Sequence, residues 1–168
     1  MKALTRSQLP NFVRNNLDDL LVTSNRNVIW SLKDEVNGQF KRGDLIEEIF
    51  SQWSGKYGGY QNLNEIIPNY PTLDFDGIFN NITEVVSLKT FHPRSGTTKT
   101  AKLLTDKLDS YAVKLSNATI DASHASKQRV LDFTIKKGEW NSIMPQIQST
   151  ILSIESRLTN VKIRLTEF

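Results

Sequence analysis

The stretch that most limits what this chain can fold into is Thr72 to Phe91, where polarity alternates with period two on both sides of a turn-forming centre. Leu73 and Phe75 fall on one side of a first strand, with Asp74 and Asp76 on the other. Val86 and Leu88 fall on one side of a second strand, with Ser87 and Lys89 opposite. Asp76-Gly77 and Asn80-Asn81 supply turn chemistry between the two, so the spacing predicts a β-hairpin. The hairpin gathers two carboxylates, a hydroxyl and an amine on one face, expected to be exposed. Such a grouping predicts a metal and phosphate site.

The flanking sequence reads as support for that hairpin. Residues 5 to 33 carry apolar positions at helical spacing (Leu9, Phe12, Val13, Leu17, Leu20, then Val28, Ile29, Trp30), with a turn expected at Thr23 to Asn27. Leu45, Ile46, Ile49, Phe50 and Trp53 form the apolar stripe of an amphipathic helix bordered by Glu47 and Glu48. Gly43 lies one turn before Glu47 on the same face and leaves space beside its carboxylate, which favours Glu47 over Glu48 as a ligand. The competing reading is two solvated border glutamates. Residues 55 to 71 are rich in Gly, Asn and Pro and predict a loop with a turn or short strand near Leu63 to Ile67. Tyr57, Tyr60 and Tyr70 there could stack on bases or cover a core edge.

After the hairpin the pattern predicts a helix over 98–116, a polar loop to Lys127, a strand over Val130–Lys136, a helix over Trp140–Leu158 and a final strand over Val161–Leu165. Pro145 belongs at the start of its helix or kinks the first turn. The order predicts a single α/β domain over residues 1–168: a helical N-terminal lead-in (1–33) and a core (34–168) with a mixed β-sheet flanked by helices.

Composition removes several alternatives. With no cysteine, disulfides, thiolate-bound zinc and a cysteine nucleophile are excluded. Two histidines, His92 and His124, make a structural zinc site improbable, and His124 is expected to be exposed polar decoration. No apolar run approaches the roughly 20 residues that span a bilayer, and no signal-like N-terminus is expected. The net charge of +3 and pI ≈ 9.1 are compatible with nucleic acid without pointing to it.

The candidate site therefore holds Glu47, Asp74 (with Asp76 beside it), Ser87 and Lys89. Carboxylates such as Glu47 and Asp74 are the hard oxygen ligands of a divalent cation. Lys89 would orient or deprotonate water, or neutralise charge on the phosphate. Ser87 could contact metal, water or phosphate.

The order Arg42-Gly-Asp-Leu-Ile-Glu47, Leu73-Asp-Phe75 and Val86-Ser-Leu-Lys-Thr90 resembles the PD-(D/E)xK, restriction-endonuclease-like nucleases. Ser87 stands where that motif carries Asp or Glu, and its proline is not adjacent to Asp74; Pro71 lies three residues upstream. The serine variant is similar to nuclease domains at the C-termini of contact-dependent growth inhibition and other polymorphic toxins. The resemblance implies a restriction-endonuclease-like sheet and a Mg- or Zn-dependent endonuclease that cuts DNA, with tRNA or other RNA as the alternative substrate. It further implies delivery to a rival cell as part of a larger secreted or cell-surface toxin, action in that cell's cytoplasm, and a cognate immunity protein. A different class also satisfies the sequence: a non-catalytic immunity or adaptor module that uses the sheet as a binding platform.

Overall fold

A computed structural model of the chain describes residues 4–32, 41–67, 70–94 and 96–168. The informative stretch beginning at Lys33 thus lies outside the described residues as far as Phe40. The architecture is mixed α/β, with six α-helices and one five-stranded sheet among the described residues. It divides into two compact units, residues 1–61 and 62–168.

The first unit is helical: α1 (Leu9–Leu20), α2 (Thr23–Ser31) and α3 (Arg42–Gln52). The expected turn at Thr23–Asn27 is instead the beginning of α2, and the chain turns at Leu21-Val22. Small polar residues favour helix starts as strongly as turns, and here the helix start prevails. On α3 the predicted stripe holds, with Leu45, Ile46, Ile49 and Phe50 buried. The carboxylate of Asp44 accepts the Lys41 amide at 2.7 Å, which satisfies one of the helix's orphan donors. Gln52 Nε2 donates to the Pro10 carbonyl at 2.9 Å and ties α3 to α1. Tyr57 is buried, its ring 6.4 Å from that of Phe50, so it packs in the interior and is not presented to bases.

A two-residue strand, β1 (Gln61–Asn62), marks the boundary between the units. The second unit continues as α4 (Leu63–Ile66), β2 (Phe75–Phe79), β3 (Ile82–Phe91), α5 (Ala101–Asn117), β4 (Gln128–Ile135), α6 (Met144–Arg157) and β5 (Val161–Glu167). The strands lie in the order β1-β2-β3-β4-β5. β2 and β3 pair antiparallel, with Phe79 opposite Ile82 across Asn80-Asn81. Both asparagines have positive φ (47° and 63°), the conformation of a tight hairpin turn whose twist matches the strands. Asp76-Gly77, read as turn residues in the sequence, lies within β2.

The β3–β4 and β4–β5 pairs are parallel, so the connections between them are long crossovers carrying α5 and α6. α5 begins at its cap Thr100, whose hydroxyl accepts the Leu103 amide at 3.1 Å. Pro145 sits in the first turn of α6, where its missing N–H costs nothing. Leu104, Leu108, Ala112 and Leu115 of α5 and Ile147 and Ile154 of α6 form one core with Leu131, Phe133 and Ile135 of β4.

Candidate functional site

The register of β3 on β4 fixes which way the candidate residues point. Ser87 pairs with Leu131, and Lys89 with Phe133. Adjacent paired residues share a face, so Ser87 and Lys89 interrupt the same face that α5 and α6 cover. The expectation of an exposed face is therefore corrected. Ser87 is 1% exposed and Asp74 8%. A strand in a parallel sheet has neither face reserved for water, so alternation alone does not say which side is solvated. Burying a hydroxyl and a carboxylate in an apolar layer is costly unless each is partnered, while Lys89 stays half-exposed.

Asp74 is held at the entry to β2. Its amide donates to the Val86 carbonyl at 2.8 Å, and its own carbonyl accepts the Leu63 amide at 2.9 Å. Its Oδ2 accepts the Leu88 amide at 2.6 Å. Its Oδ1 receives the Asn64 side-chain amide at 3.4 Å, while Asn64 Oδ1 accepts the Tyr70 amide at 3.0 Å. Lys89 Nζ stands 3.6 Å from Asp74 Oδ2 and donates to the Leu88 carbonyl at 3.0 Å. The predicted convergence of carboxylate and amine is thus present within the second unit. Burial pushes the Asp74 carboxyl above its ordinary range, against the lowering pull of the Lys89 ammonium, the Leu88 amide and Asn64.

Glu47 lies half-buried on α3 and belongs to the first unit; Asp74, Ser87 and Lys89 belong to the second. Glu48, its neighbour, accepts the Gln52 side-chain amide at 2.6 Å.

Asp76 has a different role from the one expected of it beside Asp74. Its two carboxylate oxygens accept Lys127 Nζ at 2.7 and 2.6 Å, and His124 Nε2 lies 3.2 Å from Oδ2. His124 is not surface decoration. It is 9% exposed, and its Nδ1 lies 2.8 Å from Asp121 Oδ1 and 3.2 Å from the Tyr70 hydroxyl. The Tyr70 hydroxyl also donates to Asp121, and hydrogen bonds from Ser123 and Tyr70 hold the Asp121 carboxyl below its usual range. This network pins the segment before β4 to β2. The sequence offered no signal for it, because its members come from three separate segments with no shared spacing.

His92 also has a partner: its Nδ1 lies 2.9 Å from Glu139 Oε2, while Lys99 Nζ donates to Glu139 Oε1 at 2.6 Å. Burial raises the Glu139 carboxyl, but hydrogen bonds and charge from Lys99 and His92 outweigh it and hold the group below its usual range. On the opposite face of the sheet, Arg164 grips Glu84 through two bonds of 3.0 Å, and its guanidinium lies 4.5 Å from the centre of the Phe79 ring.

Among the described residues no three His, Asp or Glu side chains are grouped so as to hold a metal ion. Nor is any helix long and apolar enough to cross a membrane. Compared with family models, curated proteins and solved structures, the chain finds no match.

Proposed function

We propose that the second unit carries the hydrolytic centre of a metal-dependent endonuclease toxin of the PD-(D/E)xK kind, acting on DNA. The observation that supports this is the 3.6 Å approach of Lys89 Nζ to Asp74 Oδ2, with Ser87 on the same strand face. Glu47 enters this reading through the resemblance alone.

Asp74 and Ser87 offer two hard oxygens, which fits an ion that draws its remaining ligands from water and a substrate phosphate, as Mg²⁺ commonly does. When bound, such an ion polarises a phosphoryl oxygen and acidifies water at neutral pH. The chain's own residues supply the rest. Asp74, fixed by the Leu88 amide and Asn64, presents its carboxylate in one orientation. Lys89, half-buried beside the buried Asp74, places positive charge where the phosphate accumulates negative charge. In this reading the chain is the effector part of a larger delivered toxin, and its producer carries a neutralising partner.

The test is cutting of supercoiled plasmid with Mg²⁺ against chelator, beside tRNA under the same conditions. Lys89→Ala should lose at least about 100-fold in rate, the usual cost of removing a charge-stabilising group, with its circular dichroism unchanged. If Lys89→Ala cuts as fast as the wild type, the assignment is wrong. Cutting of tRNA with plasmid untouched would move the same centre to RNA.

A further inference from the structure

Beyond the hydrolytic centre, the sheet ends in a concentration of unpaired positive charge. β3 and β4 run parallel and finish together at the paired Phe91 and Ile135. The chain leaving β3 carries Arg94, and the chain leaving β4 carries Lys136 and Lys137. None of these three has an ion-pair partner among the described residues, and Arg94 and Lys137 are exposed. The Lys137 amide donates to the Phe168 carbonyl at 3.1 Å, so the end of β5 lies at the same edge.

This edge is also organised. Glu139 takes Lys99 at 2.6 Å and His92 at 2.9 Å, which ties the loop after β3 to the turn after β4. The Thr97 amide donates to the Arg94 carbonyl at 3.0 Å, and Gly96 supplies the positive φ (81°) of that turn. Arg94 is exposed beside that hydrogen bond. Of the acidic groups at this edge, Glu139 is paired by Lys99 and His92, while Glu167 accepts the Gly138 amide at 3.1 Å and keeps its charge. Among the side chains named at this edge, Arg94, Lys99, Lys136 and Lys137 outnumber Glu139 and Glu167 by two, a large share of a whole net charge of +3.

Lys89 lies two residues before Phe91 on β3, about 7 Å along the strand. A nucleic-acid backbone seated at Lys89 would reach the edge within a few nucleotides, at about 3.4 Å of rise per nucleotide on each strand. We infer that Arg94, Lys136 and Lys137 form the backbone-binding surface that seats a DNA duplex against the Lys89 centre. This inference rests on the nuclease reading above. Such contacts position the duplex without reading its sequence.

The experiment is equilibrium binding of a fluorescent 20-base-pair duplex by the full chain in chelator, between 50 and 200 mM salt, so that no cutting occurs. The triple variant Arg94→Gln/Lys136→Gln/Lys137→Gln is compared with the charge-matched control Lys107→Gln/Lys114→Gln/Lys162→Gln. Loss of three phosphate contacts should reduce the slope of log affinity against log salt by about 2.7, and weaken binding at least tenfold at 50 mM salt, while the control keeps the wild-type slope. Equal losses in both variants would show a net-charge effect and overturn the inference. An unchanged slope in the edge variant, with a wild type that binds and cuts, would overturn the inference and leave the nuclease reading standing. A wild type that neither binds nor cuts DNA would remove both. Should the edge variant keep its DNA slope but lose binding to a polyglutamate peptide, the surface belongs to an acidic protein and the inference fails.

Discussion

At the scale of single residues, Asp74 is a carboxylate whose surroundings favour its protonated form. Burial raises its pKa above the unfolded value, so its contribution to stability is complete below the unfolded range and is lost as pH rises through the folded value. At neutral pH the charged form is a burden on the fold. Asp74→Asn keeps an oxygen to accept the Leu88 amide and removes that burden. Its thermal midpoint at pH 7 should equal or exceed that of the wild type, while plasmid cutting falls by at least about 100-fold. A calorimetric scan beside a nicking assay checks both halves. Glu139 runs the opposite way. Its pKa is lowered, so its stabilisation is present above the unfolded value and disappears as pH falls through the folded one. Glu139→Gln should be less stable than the wild type at pH 7, and denaturant titrations should converge as pH drops below about 4, where carboxylates protonate.

At the scale of elements, β2 is held from two directions: by the hairpin to β3, and by the Asp76–Lys127–His124 network to the segment before β4. Lys127→Met leaves the mostly buried Asp76 without its principal cation. Urea denaturation should show a loss of about 1–3 kcal/mol, with Asp76→Asn in the same chain restoring part of it. Additive losses would mean that the pair does not act as one unit. The hairpin was legible because alternation and Asn80-Asn81 agree on one answer, and β4, β5, α5 and α6 were legible from their periodicity. The direction of its polar face was not. Val85, Ser87, Lys89 and Phe91 lie on one side of a strand that pairs in parallel with β4, and only the register reveals that α5 and α6 cover that side. Thr23-Ser24-Asn25 misled for a related reason, since the same residues serve turns and helix starts. His124 stayed hidden because its meaning depends on Asp76 and Asp121, which are distant or unpatterned in sequence.

At the scale of the molecule, the mild basic charge is unevenly used. Several lysines and arginines are spent on internal pairs, as with Arg164 on Glu84 and Lys127 on Asp76, while others collect at the edge beyond β3 and β4. A toxin of the proposed kind should stop bacterial growth when expressed without a protective partner. Lys89→Ala should restore growth to that of cells carrying an empty vector, at equal protein abundance by immunoblot. Undiminished growth with the wild type would favour the binding-module class instead.

The Asp74–Lys89 pair joins positions on either side of a two-residue reversal, whereas the layer that covers it arrives through two long crossovers. Nearby segments of a chain meet sooner than remote ones, because closing a longer loop costs more entropy. The approach of the two charges therefore depends on a short-range contact, whereas the burial of Asp74 depends on long-range ones, so loosening the crossovers should wet the carboxylate before it parts the pair.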